Sequence, residues 1–200
     1  MSDELAKKRI AIIVADGFEQ VEMTDPRDAL DEAGAETTLV SLRPGNVRGF
    51  KHHDAADEFD VDMVIDDAKA EDFDGVLLPG GVMNPDALRS VPAVRKFVRD
   101  VYEAGKPVAA ICHGPWTLID AGLVRGKRMT SWPSLKTDLT NAGASWVDSE
   151  VVVDDGIITS RKPDDIPKFN EQMIAAFAHA PRSRVAKNKT RTGSQPRESR

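Results

Sequence analysis

One cysteine, Cys112, is all the thiol the chain has, so no disulfide forms within it and nothing points to an oxidising compartment. No apolar run approaches a membrane span, which takes about 20 residues. The start, Met1-Ser2-Asp3-Glu4-Leu5-Ala6-Lys7-Lys8-Arg9, lacks the apolar stretch of a signal peptide. These absences make the cytoplasm the expected compartment and exclude membrane partners. Zinc-type spacings of Cys and His are missing too. His52 and His53 are adjacent, so on a strand they face opposite sides, and they read as hairpin or interface residues. Neither a G-x-x-x-x-G-K-[ST] phosphate loop nor a dinucleotide fingerprint occurs. The expectation is no metal and no cofactor.

The formal charge of −6 hides an asymmetry. From Pro181 onward seven Lys and Arg residues stand against Glu198 alone, a net of +6, so residues 1–180 carry −12. An acidic body argues against a nucleic-acid enzyme. The segment 181–200 has few apolar residues and reads as a basic, disordered, dispensable tail. The remaining 1–180 suit a single domain with one substantial core.

What the chain does have is alternation. Ile10 to Val14 is an apolar strand, followed by a helix from near Glu22 to Glu32 with Val21, Leu30 and Ala33 inward. Thr37 to Leu42 is a second strand, so the start reads as βαβ with parallel pairing. The stretch 43–72 is irregular, with Val47–Lys51 and Met63–Ile65 as short strands of a hairpin excursion. Val76–Leu78 is a core strand ended by Pro79-Gly80-Gly81. A helix over 91–102 follows, then the strand Val108–Ile111 and helices over 116–121 and 135–142. Asp154-Asp155-Gly156 between two β-branched runs signals a hairpin. A last helix spans 167–178, with Phe169, Met173, Ile174 and Phe177 inward. The pattern predicts an α/β sandwich around a mostly parallel sheet. In such sheets ligands bind beyond the carboxyl ends of the strands.

One strand end stands out. Val108-Ala109-Ala110-Ile111 runs into Cys112-His113 and breaks at Gly114-Pro115, and Pro suits a first helical turn. Strand, nucleophile, tight turn and helix are the parts of a nucleophile elbow. Taken alone, the cysteine is a small core residue. The adjacent histidine and the Gly-Pro break favour a reactive thiol with thiolate character.

Several segments together resemble the DJ-1/PfpI family, in particular its general-stress-protein and intracellular-protease branch within the class I glutamine amidotransferase-like superfamily. They are Ala15 to Glu22 (ADGFEQVE), Leu77-Leu78-Pro79-Gly80-Gly81, Ala110 to Pro115 (AICHGP), Thr130-Ser131-Trp132-Pro133 and Asn141-Ala142-Gly143-Ala144. The likeness runs from about residue 9 to 177. It implies a flavodoxin-like three-layer α/β/α sandwich with Cys112 as nucleophile and His113 beside it. It also implies that Glu22 touches the sulfur and donates a hydrogen bond to a thiolate, where the helix pattern alone gives a surface carboxylate. Glu19 belongs to the same motif as a supporting acid, and Gly80 and Gly81 match the turn on the oxyanion side. Asp86 is the candidate for an acid lent to a neighbouring subunit's histidine, although its spacing departs from the protease pattern and the residue is Asp rather than Glu. Trp132 replaces a histidine of the DJ-1 branch. Trp116 and Trp132 read equally as pocket wall or as core.

The resemblance further implies a homodimer or larger assembly and cysteine-dependent chemistry on carbonyls. The options are glyoxalase III or deglycase action on a small aldehyde, peptide hydrolysis, and a redox-sensing stress protein with little turnover. Glutamine amidotransferase activity is excluded, because the downstream His-x-Glu pair is absent: His179 is followed by Ala180 and Pro181.

Overall fold

A computed structural model describes residues 4–180; the basic tail lies outside the described residues. The elements are, in chain order, β1 (Arg9–Ile13), β2 (Phe18–Glu19), α1 (Val21–Glu32), β3 (Glu36–Ser41), β4 (Asn46–Lys51), β5 (Asp54–Asp60), β6 (Met63–Val64) and β7 (Gly75–Leu78). Then come α2 (Met83–Ser90), α3 (Pro92–Glu103), β8 (Val108–Ile111), α4 (Pro115–Asp120), β9 (Arg128–Met129) and α5 (Lys136–Asn141). The chain closes with β10 (Ser145–Trp146), β11 (Val151–Asp154), β12 (Ile157–Ser160) and α6 (Ile166–His179).

Seven strands form the central sheet in the order β11-β12-β8-β7-β1-β3-β6. Every pairing is parallel except β11 with β12, in register from Val151↔Ser160 to Asp154↔Ile157. The inner run β3-β1-β7-β8-β12 follows the 2-1-3-4-5 order of flavodoxin-like folds.

Strand alternation builds the layers. Ile10 and Ile12 of β1 pack with Met23 and Leu30 of α1 and with Phe169, Met173 and Phe177 of α6. Ala11 and Ile13, pointing the other way, pack with Leu88 of α2, Val94, Val98 and Val101 of α3, and Leu118 of α4. A strand covered on both faces must be apolar throughout. Val108 to Ile111 are all fully buried, as that requires. The result is a three-layer α/β/α sandwich.

Three departures from the sequence reading matter for the site. The hairpin pairs β4 with β5, not with Met63–Ile65; β6 instead joins the sheet edge parallel to β3. The β5 segment is mostly exposed and charged, so it carries no apolar alternation to read. Helix α2 was hidden by the breakers around it, yet Pro85 falls in its first turn, where the missing N–H has no partner to lose. In α1 the inward face is Glu22, Met23, Pro26 and Leu30, with Val21 only half-buried. That rotation turns a carboxylate toward the core. In α6, Phe169, Met173 and Phe177 are buried and Ile174, half-buried, packs against the same core.

Candidate active site

The elbow sits at the carboxyl end of β8. Cys112 has φ +60°, a left-handed conformation that costs a non-glycine residue roughly 1–2 kcal/mol. Its backbone is held on both sides: Cys112 N–H donates to Ser160 at 3.0 Å, and Trp132 N–H donates to the Cys112 carbonyl at 2.9 Å. The Gly114 N–H closes the turn on the Ile111 carbonyl at 2.8 Å. A Cβ on Gly114 would lie 2.5 Å from the Leu78 carbonyl oxygen, so no other residue fits there without moving backbone. Strain maintained by its surroundings is typical of reactive positions.

Two side chains attend the sulfur. His113 Nδ1 lies 3.1 Å from Sγ, and burial pushes its imidazolium pKa down to about 4, so the ring is neutral near pH 7. Trp132 stacks on that ring, centroids 5.9 Å apart at 23°, and Trp116 meets it edge-on at 5.1 Å. Glu22 is fully buried within hydrogen-bonding reach of the sulfur. Its Oε2 accepts the Gly80 N–H at 3.0 Å, while Oε1 is buried with no partner. Desolvation dominates and the nearby Glu19 charge adds to it, raising the carboxyl pKa to about 8 against the downward pull of the Cys112 contact and the Gly80 and Gly81 N–H groups.

The surroundings of the thiol pull in two directions. Burial pushes Cys112 up, and a charged Glu22 would push it further; the Gly81 and His113 N–H groups pull it down. The elbow alone therefore does not supply an acidic thiol. Whichever group keeps the pair's proton decides the charge on sulfur.

An open cleft of about 290 Å³ ends on this pair. Glu19, Glu22, Gly81, His113 and Trp132 line it with Cys112, joined by His52 and His53 from the tip of the β4–β5 hairpin. Glu19 Oε2 accepts the His52 N–H at 3.0 Å, which ties the hairpin tip to the cleft. Gly81 has φ +76°, and a Cβ at Gly80 would come within 2.6 Å of the Cys112 Cβ, so both glycines are sterically required. Trp116 does not line the cleft; it backs His113 and bonds Asp138 through Nε1 at 2.8 Å. Asp86 is exposed on α2 and does not line the cleft either. Among the described residues no cluster of three His, Cys, Asp or Glu side chains suits a metal ion.

The model of the DJ-1/PfpI family matches residues 8–176. The chain belongs to that family. Among its relatives, the putative cysteine protease YraA of Bacillus subtilis is 43% identical over 84% of this chain and 96% of that protein. Protein/nucleic acid deglycase 2 of Escherichia coli is 42% identical with the same coverage. The crystal structure of Drosophila melanogaster DJ-1beta superposes with a TM-score of 0.79 at 31% identity, covering 86% of this chain and 91% of that one.

In this member of the DJ-1/PfpI family, four residues at the site carried no signal of that role in the sequence. His52 and His53 reach the cleft only because the hairpin folds over it. Ser134 Oγ stands 3.5 Å from His113 Nε2, across 21 residues, with no local signal. Asn84, buried beneath the Gly80–Gly81 turn, had no motif to announce it.

Proposed function

We propose that the chain is a stress-associated cysteine-dependent enzyme that acts on small reactive carbonyls, of the glyoxalase III or deglycase type. One observation carries this: the Cys112 sulfur, presented at φ +60° on the elbow, shares the cleft with a fully buried Glu22 that holds its proton to about pH 8. A carboxylate with a buried, unpartnered oxygen is costly. Protonated, the same group can donate to a Cys112 thiolate and so offset the burial that holds the thiol's own proton.

The chemistry follows from that state. Sγ adds to the aldehyde carbon of methylglyoxal, and the new alkoxide takes the proton from Glu22, giving a hemithioacetal. Glu22, now a carboxylate with a pKa near the working pH, is a suitable base for the hemithioacetal C–H proton and can return it to the adjacent carbonyl carbon. The thioester that results is hydrolysed by water to the hydroxy acid, which restores the thiol. An early adduct on an amine enters the same route with the amine as leaving group, in keeping with the relative named a protein/nucleic acid deglycase.

Peptide hydrolysis is the second reading, favoured by the relative named a putative cysteine protease. It needs an oriented imidazolium for the leaving amine. His113 is held neutral, and its Nε2 faces the Ser134 hydroxyl at 3.5 Å, which is no acid. The test is a parallel assay on methylglyoxal and a peptide. Hydroxy-acid formation that falls about a thousandfold or more in Cys112→Ser is expected. Peptide cleavage without aldehyde turnover moves the assignment to peptidase. Neither activity, with ready oxidation of Cys112 by peroxide, moves it to a redox sensor.

A further inference from the structure

Asn84 is fully buried and bonds backbone with both ends of its side-chain amide. Oδ1 accepts the Ala15 N–H at 2.7 Å, while Nδ2 donates to the Pro79 carbonyl at 2.9 Å and the Gly80 carbonyl at 3.0 Å. The flipped amide would set N–H against N–H and oxygen against oxygen, so only this orientation works.

What the amide grips gives it a purpose beyond packing. The two carbonyls belong to consecutive peptide units, Pro79–Gly80 and Gly80–Gly81. In a planar trans peptide the N–H points away from the C=O. Holding the Pro79 carbonyl therefore sends the Gly80 N–H the opposite way, where it meets Glu22 Oε2 at 3.0 Å. Holding the Gly80 carbonyl sends the Gly81 N–H toward the Cys112 sulfur, whose charged form it favours. The Ala15 bond pins the clamp to the loop just beyond β1.

We propose that Asn84 is a positioning residue for the Cys112–Glu22 pair: through two clamped peptide units it aims the N–H donors that the sulfur and the carboxyl receive. The titratable groups around the sulfur are Glu22 from α1, Glu19 from β2, His113 on the elbow, and His52 and His53 from the hairpin. Asn84 makes no hydrogen bond to any of them among the described residues. A change at Asn84 thus reaches the thiol through the glycine peptides. The inference rests on Cys112 as the nucleophile, and not on which carbonyl it attacks.

The experiment is the rate of Cys112 alkylation by iodoacetamide against pH in the full chain. Asn84→Ala, checked for folding by circular dichroism, is expected to raise the midpoint by about one pH unit, as misaligning a donor to a charged acceptor does. Methylglyoxal kcat should fall about tenfold or more with KM little changed. Asn84→Leu, of similar volume and uncharged, should act in the same direction. A folded variant of either kind with the wild-type midpoint overturns the proposal, whatever happens to Tm. Should both variants fail to fold, the unaltered protein decides by NMR. The Asn84 side-chain NH2 and the Gly80 and Gly81 amide signals should titrate with the alkylation midpoint; Asn84 signals indifferent to it overturn the proposal. A shifted midpoint without any aldehyde turnover sinks the carbonyl reading and leaves Asn84 in its role.

Discussion

At the scale of single residues the question is where one proton sits. Burial raises both Glu22 and Cys112, so the pair resists a second negative charge and titrates as a unit. With the proton on Glu22, the sulfur carries the charge and is met by the carboxyl and by the Gly81 and His113 N–H groups. Alkylation of Cys112 is then expected to show a midpoint below the free-thiol value of about 8.5. Glu22→Gln should raise that midpoint modestly, because an amide is a weaker donor than a carboxyl group, and Glu22→Ala should raise it further. A midpoint that drops in Glu22→Gln would mean that the carboxylate charge had been holding the thiol up, and the proton assignment would reverse.

At the scale of elements, the site depends on one turn with no spare room. Gly114 caps the start of α4, and a Cβ there meets the Leu78 and Ile111 carbonyl oxygens at 2.5 and 2.9 Å, both backbone atoms that cannot swing aside. Gly114→Ala should therefore cost roughly 1–3 kcal/mol, as overpacking does, and slow thiol alkylation as the elbow shifts. Urea unfolding and alkylation rate check the two effects. Wild-type values in both would show that the turn is softer than its contacts imply. The elements that escaped the sequence reading have their own reasons. β2, β9 and β10 are two residues each, too short for any period. β5 is a strand by pairing with β4, not by hydrophobicity.

At the scale of the whole molecule, the buried pair makes stability depend on pH. Glu22 binds its proton more tightly when folded, near 8 against 4.5, so the folded state holds more protons in that interval and stability falls as pH rises through it. His113, lowered from 6.5 to about 4, acts from the acid side, where stability falls as pH drops through that range. Between pH 6.5 and 8 Glu22 acts alone of the two. Urea titrations should show the wild type losing stability there while Glu22→Gln stays flat; equal slopes would return Glu22 to a solvated setting. Assembly is the other whole-molecule expectation. Val82 and Met83 are 56% and 52% exposed at the mouth of the cleft and the start of α2, with Asp86 exposed on the same helix. Light scattering should report a dimer or larger. If Asp86 serves a neighbour's His113, Asp86→Asn should lose activity that mixing with Cys112→Ser subunits partly restores. A monomer ends the idea, and an oligomer without rescue removes Asp86 from the chemistry.

The sequence by itself determined the layered sheet, because strands buried on both faces must be apolar and the helices between them must carry one apolar stripe. It also determined the elbow, because strand, Cys112, Gly114 and Pro115 are contiguous and their backbone requirements are local. The family motifs singled out Glu22, which the helix pattern alone would have left at the surface. Only the tertiary structure decided the rest. It turned α1 so that Glu22 faces inward, folded the hairpin so that His52 and His53 reach the cleft, and set Trp116 behind His113, away from the cleft. It also revealed that burial works against the thiol's ionisation, and that Asn84 lies under the Gly80–Gly81 turn. Those facts depend on distances between segments tens of residues apart, and desolvation and hydrogen-bond direction exist only once the segments have packed.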